Sequence, residues 1–182
     1  MAKLDDSRPF VPVRIAVLTV SDTRGLDQDK SGDTLVSRLE AAGHTLAARD
    51  ILPDERLQIA DQLRSWCAEP DIDVIISTGG TGLTGRDVTV EAHRDVYEKE
   101  IEAFGTVFTI VSMKKIGTSA VQSRATGGVA MGTYLFALPG STGACKDAWD
   151  EILQYQLDYR HMPCNFVEIL PRLDEHMKRT KG

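Results

Sequence analysis

The chain has 182 residues, 42% hydrophobic and 26% charged, which fits one globular domain with a substantial core and excludes a disordered or fibrous chain. A net charge of −6 argues against a general nucleic-acid binder, which would present a basic face, so any anion must be held by local features. The N-terminal MAKLDDSRPFVP has no apolar signal core and no run approaches the ~18 apolar residues of a membrane span, so the expected location is the cytoplasm.

RIAVLTV, from Arg14 to Val20, is a continuous apolar run of strand length. SGDTLVSRLEAAG follows with Leu35, Leu39 and Ala42 at helical spacing and Gly43 where a helix-ending glycine belongs. LAARDIL is a weaker strand that ends at Pro53, and Ile59, Leu63, Trp66 and Cys67 mark one face of a second helix. DVIIS is a short strand entering a glycine-rich loop, and VTVEAHRDVYEKEIEAF after the loop reads as one long helix. Strand and helix alternate, which predicts a βαβαβα unit with a parallel sheet. TVFTIVSMKKIG fits helix or strand on periodicity and is taken as helix. GVAMGTYLFALPG reads as two strands joined by a tight turn at Gly132, an antiparallel addition to the sheet. STGACKDAWDEILQYQLDY closes with Cys145, Ala148, Trp149, Ile152 and Leu153 on one helical face. This gives a single domain over 14–166, with an extension over 1–13 and a surface tail over 167–182. Cys67, Cys145 and Cys164 are scattered without a C-x-x-C and read as buried thiols in a reducing compartment.

The loop IISTGGTGLTGRD, from Ile75 to Asp87, nearly satisfies two nucleotide signatures. Gly80, Gly82 and Gly85 are spaced G-x-G-x-x-G, but they follow the third strand rather than the first, and Glu100 falls mid-helix instead of at a strand end. Read as a phosphate loop, Arg86 replaces the lysine and Asp87 the metal-binding hydroxyl. What remains is a strand-to-helix turn whose glycines expose backbone N–H groups, an anion site in an α/β sheet; the plainer alternative is a tight turn with Asp87 as a helix cap. From Ala103 through Lys146 the chain has no Asp or Glu but carries Lys114, Lys115, Arg124 and Lys146, which reads as the wall of a site for an anionic ligand. Asp54 follows the second strand and Asp87 the third. Adjacent parallel strands would bring both carboxylates beside the glycine loop, where such a pair can hold Mg²⁺ near phosphates. Of the four histidines, His44, His93 and His176 read as surface or satisfied groups and His161 is uninformative.

VLTVSDTRGLDQDKSG, LPDE, STGGTGLTGRDVTVEA, SAVQSRATGG and FALPGS stand in an order that resembles the molybdopterin-binding proteins of molybdenum-cofactor biosynthesis, over about Arg14 to Phe166. KIGTSAVQSRATGG, LPGSTGAC and PCNF resemble the MoaB branch more than the MogA branch. The resemblance implies a three-layer α/β/α sandwich, mostly parallel with an antiparallel strand near one edge. It also implies binding of molybdopterin, whose terminal phosphate active members adenylylate with Mg²⁺ and ATP. By position, Thr78, Gly79, Gly80, Thr81 and Gly82 would cradle phosphate, Ser123 and Arg124 would grip the pterin, and Pro139, Gly140 and Ser141 would complete the pocket. Ser21, Asp22 and Thr23 would lie at the same edge, and Asp54 and Asp87 would serve metal and nucleotide. Val90 stands where the family often has proline, and PGST replaces PGNP of the MogA branch. The resemblance further implies a homotrimer or homohexamer, and the apolar PCNFVEIL near the chain end is expected against a neighbouring subunit. A rival reading is a non-catalytic molybdopterin carrier, and a third keeps the fold with another substrate, as in related domains that hydrolyse nucleotide diphosphates.

Overall fold

The computed structural model describes residues 3–23 and 25–178. Arg24, the first two residues of the expected extension and the last four of the expected tail lie outside the described residues. In chain order the elements are β1 (Lys3–Leu4), β2 (Arg14–Val20), α1 (Lys30–Ala41), β3 (Thr45–Leu52), α2 (Arg56–Cys67), β4 (Val74–Thr78), α3 (Thr89–Arg94), β5 (Lys99–Glu100), α4 (Glu102–Ile116), β6 (Thr126–Ala130), β7 (Thr133–Leu138), α5 (Thr142–Ala148), α6 (Gln154–Gln156), β8 (His161–Met162) and α7 (Phe166–Ile169). A π-type turn over Trp149–Leu153 joins α5 to α6.

Six strands form the main sheet in the order β3-β2-β4-β7-β6-β5, and β1 pairs separately with β8. Strands β3, β2, β4 and β7 are parallel, while β6 is antiparallel to both β7 and β5. The sheet is buried on both faces, which explains why β2 and β4 are continuous apolar runs rather than alternating ones. Ile15 and Val17 of β2 pack with Leu35 and Leu39 of α1, Phe104 and Phe108 of α4, and Trp149. Ala16, Leu18 and Val20 point to the other layer, with Ile59, Leu63 and Trp66 of α2 and Ala92 of α3. The three-layer expectation is met, including the antiparallel strand near one edge.

The expected long helix from Val88 is instead two helices with an edge strand between them. Glu98 N–H donates to Val129 O at 2.8 Å and Ile101 N–H to Gly127 O at 2.7 Å, so the chain leaves the helix to pair with β6. Gly128 makes this fit: a Cβ there would collide with the Tyr97 ring, and the ring's burial outweighs the local preference for helix. Glu100 therefore lies on a strand and not mid-helix, bonded to Arg94 and Thr126. The tail also differs from expectation. Val167 is buried in the core, with Phe166, Leu170 and Leu173 packed against it, so this apolar end docks on its own domain. Cys67 and Cys145 are buried but Cys164 is exposed.

His44 and His93 are core groups. Val13 N–H donates to His44 Nδ1 at 3.2 Å, and burial pushes the His44 pKa from 6.5 down to about 4. The unfolded chain takes up this proton at a higher pH than the folded one. Stability from neutral His44 is therefore complete above pH 6.5 and lost as pH falls towards 4, up to about 3 kcal/mol. Denaturant midpoints at pH 7.5 and 5 should fall accordingly, and His44→Gln should flatten that dependence.

Candidate functional site

The four parallel strands all end at one edge, each in a loop that carries polar groups. Ser21 and Asp22 follow β2, Asp54 follows β3, Gly79 and Gly80 follow β4, and Gly140 follows β7. The chain runs from β2 outward to β3 and then crosses back to β4 on the far side of β2. The gap between β2 and β4 is thus a topological switch point, where open α/β sheets bind ligands. A cleft of about 280 Å³ lies there, lined among others by Ser21, Asp22, Asp54, Gly80, Arg86 and Asp87. A larger hollow of about 600 Å³ sits at the opposite edge, but its Arg14 and Asp73 are paired and burial pushes its Cys67 thiol up to about 12. The convergent polar groups are at the smaller cleft.

The expectation that β3 and β4 are neighbours is corrected, because β2 lies between them. Asp54 and Asp87 nonetheless line the same cleft, and the Asp87 charge helps to raise the Asp54 carboxyl. Gly79 takes φ +102°, and a Cβ on it would collide with the Val20 carbonyl, which glycine alone avoids. Gly140 in turn rests on Gly79, at 2.9 Å between its would-be Cβ and Gly79 Cα. Thr78 and Thr19 line the cleft, and Thr78 Oγ1 donates to Pro139 O at 3.1 Å.

The three acids of the cleft differ in state. Burial raises the Asp54 carboxyl above its usual range, and the nearby charges of Asp22 and Asp87 add to this. Asp87 is held low by the Thr84 hydroxyl, at 2.6 Å, and by backbone N–H groups of Thr84 and Gly82. Asp87 therefore braces its own loop, and the helix cap position belongs to Val88 instead. Asp22 is lowered by its hydrogen bonds from Arg86, at 2.8 and 3.1 Å, and accepts from Asp54 N–H at 3.0 Å. The Asp54 carboxylate has one donor among the described residues, the Asp22 backbone N–H. Among them no group of three or more acids, histidines or cysteines is close enough to form a ready metal centre. The donors present are oxygens: two carboxylates and, beside them, the buried and unpartnered Thr89 hydroxyl. This set fits Mg²⁺, which binds through one or two carboxylates, keeps several waters and shares phosphate oxygens.

Ser123 and Arg124 are not in this cleft. They line a separate groove with Val90, Gly105 and Thr109. The Arg124 guanidinium donates to the carbonyls of Thr81, Gly82 and Asp87 and pairs with Glu91, so it fastens the glycine loop to α3. Within the acid-free stretch, Lys115 also faces acids, Asp147 and Glu151. Arg124→Ala should leave three carbonyls and Glu91 unpaired and lower stability by ~1–3 kcal/mol, measurable by denaturant unfolding.

Sequence reasoning missed several contributors. Asp29 is fully buried and caps α1 through Gly32 N–H, while accepting from Thr19, Ser31 and Arg49. Burial raises its carboxyl, but these partners outweigh burial and hold it low. The signal was available in DQDKSG, an acid two residues before Ser-Gly at a helix start. In sequence Arg86 stands where a phosphate loop has its lysine. It is instead the cation of the cleft, paired with Asp22 and Glu55.

The family described as "probable molybdopterin binding domain" matches residues 16–159. The chain belongs to the molybdopterin-binding proteins of molybdenum-cofactor biosynthesis. It is 47% identical over 160 residues to molybdenum cofactor biosynthesis protein B of Escherichia coli K12, covering 88% of this chain and 94% of that protein. A crystal structure of a molybdenum cofactor biosynthesis protein B aligns with a TM-score of 0.83 at 34% identity, over 92% of this chain and 99% of that one. The tungsten cofactor synthesizing protein MoaB from Pyrococcus furiosus aligns with a TM-score of 0.71 at 33% identity, over 78% and 91%. The molybdopterin-binding domain thus contains the whole cleft, from Thr19 through Gly140. No helix among the described residues is long and apolar enough to cross a membrane.

Proposed function

We propose that this molybdopterin-binding protein adenylylates the terminal phosphate of molybdopterin with Mg²⁺ and ATP, in the cytoplasm. The observation that carries this reading is Asp54: a half-buried carboxylate, supported by one backbone N–H and raised by burial and by the charges of Asp22 and Asp87, in the cleft at the glycine loop. A carrier has no use for such a group, whose charge opposes a bound phosphate unless a cation lies between them.

In this reading a phosphate oxygen of molybdopterin forms a bond to the α-phosphorus of ATP, and the bond from that phosphorus to the bridging oxygen breaks to release pyrophosphate. The nucleophile is already an anion, so no residue need generate it, and the protein's work is positioning and charge. Of the loop N–H groups expected to cradle phosphate, Gly79 is committed to Leu138 O at 3.0 Å and Gly82 to the Asp87 carboxylate, so those of Gly80 and Thr81 would meet phosphate, with Thr78, Ser21, Asp22 and Gly140 shaping the cleft. Arg86 adds positive charge at its rim. Pro139 and Ser141 frame the β7 side, and Ser123 and Arg124 shape the neighbouring groove while Arg124 holds the loop. Asp54 and Asp87 would hold Mg²⁺, which when bound neutralises the phosphates between which the bond forms.

One observation favours the carrier instead. Asp87 is already satisfied by Thr84 and Gly82, as a turn residue would be. Calorimetric titration with a non-hydrolysable Mg-ATP analogue separates the two. The enzyme reading requires binding that weakens in Asp54→Asn, and a carrier that binds molybdopterin would show none.

We also propose that the protein assembles as a homotrimer or homohexamer. Helix α4 is apolar nearly all round, and Ile110, Met113 and Ile116 on it are each half exposed or more. They adjoin an apolar groove of about 500 Å³ that includes Phe104, Val107 and Tyr155. Such a patch is uncommon on a monomer. Light scattering at micromolar concentration should give three or six chain masses, and a mass near 20.0 kDa would refute assembly.

A further inference from the structure

Thr89 is the first residue of α3, and its backbone N–H donates to Gly80 O at 2.9 Å, which ties the start of the helix to the glycine loop. Its side chain is fully buried, yet its hydroxyl has no partner among the described residues. No other threonine among the described residues shares this condition. Thr19 donates to Asp29, Thr34 to Lys30 O, Thr109 to Gly105 O and Thr126 to Glu100. Buried hydroxyls are almost always paired, so an orphan needs a reason.

The surroundings supply one. A Cβ built on Gly80 would collide at once with Asp54 Oδ1 and Thr89 Oγ1, with Val20 Cγ1 behind them at 3.2 Å. The two oxygens thus converge on one small space over the Gly80 Cα, walled by an apolar group and kept open by the missing side chain. One oxygen is charged and one neutral; the hydroxyl has no partner among the described residues, and the carboxylate has the Asp22 backbone N–H alone. A carboxylate and a hydroxyl are the hard-oxygen donors that a small divalent cation prefers.

We propose that Thr89 Oγ1 and Asp54 Oδ1 together form the seat of a hydrated divalent cation, with Thr89 as its neutral protein ligand. The proposal rests on the Mg²⁺-dependent reading of the cleft and adds to it a residue and a geometry. It also accounts for the loop's departure from a phosphate loop. There a hydroxyl after the last glycine and its lysine holds the metal, whereas here Asp87 occupies that place. Thr89, two residues further on and carried inward by the start of α3, provides the hydroxyl. Gly80 is then required for two reasons: its φ of +61° and the space it leaves for the ion.

Mn²⁺ binding, followed by the loss of its free electron-paramagnetic-resonance signal, tests this with and without ATP. Thr89→Ser keeps the hydroxyl and should bind within about twofold of the unaltered protein. Thr89→Val keeps the shape and should bind ~10-fold more weakly, with a melting temperature equal to or above that of the unaltered protein, because an unpaired buried hydroxyl has been removed. If Thr89→Val melts lower and binds Mn²⁺ unchanged while Asp54→Asn loses it, the hydroxyl holds a structural water, and this proposal fails while the metal reading stands. If the unaltered protein binds no Mn²⁺ with or without ATP, both fail.

Discussion

Replacing Asp87 by asparagine should lower the rate of adenylylation at least ~100-fold while molybdopterin still binds. Asparagine keeps the shape of the side chain and can still accept from Thr84 N–H, so the loop is retained and only the charge is lost. A single electrostatic contact made at the reacting phosphates is worth about that factor. Asp54→Asn should cost at least as much in rate, but the two variants should part company in stability. The Asp54 carboxyl titrates above its usual value of 3.8, so its charge opposes folding at neutral pH, and that opposition fades as pH falls through the raised value. Asp54→Asn should therefore be as stable as the unaltered protein or more stable at pH 7, with the advantage fading as pH falls towards 3.8. Asp87 titrates below 3.8 and supports the fold above that pH, so Asp87→Asn should be the less stable variant at pH 7. Steady-state rates and denaturant midpoints on the same preparations check all of this. Unchanged turnover in both variants would remove the metal assignment.

Gly80→Val should abolish ligand binding and also weaken the protein. Gly80 adopts φ +61°, a region costly for any β-branched residue, and the added side chain would enter the space held by Asp54 Oδ1 and Thr89 Oγ1. The Gly80 carbonyl also anchors Thr89 N–H, so a shift of the loop would displace the start of α3. Strain of this kind costs ~1–3 kcal/mol, enough to lower the melting temperature while leaving the far-ultraviolet circular dichroism spectrum that of the folded chain. Affinity for molybdopterin within a few-fold of the unaltered protein would show that the loop is a turn and nothing more.

Much of this architecture could be read from residue order alone, because β2 and β4 are short apolar runs between amphipathic helices and nothing local contradicts them. The segment after Asp87 could not. Its helical character is sound as far as Arg94, but the decision to become an edge strand at Lys99 depends on Gly127 and Gly128, about thirty residues away, and on the burial of Tyr97. Strand order was likewise invisible, since alternating strands and helices do not say that β2 separates β3 from β4. The cleft was legible in part, because glycines and acids at strand ends are local signals. The roles of Arg124, Arg86 and Thr89 were not. A guanidinium in an acid-free stretch looks free to meet a ligand, and only the fold shows Glu91 and three loop carbonyls gathered around it. A threonine after a strand-to-helix loop looks like any helix start until its hydroxyl is found buried and alone.

The most direct measurement is pyrophosphate release from ATP by the purified protein with molybdopterin and Mg²⁺. The account predicts one pyrophosphate per molybdopterin consumed, none without molybdopterin and none when Mg²⁺ is chelated. Molybdopterin bound at full occupancy with pyrophosphate no higher than in the protein-free control would contradict it, and would make the chain a carrier.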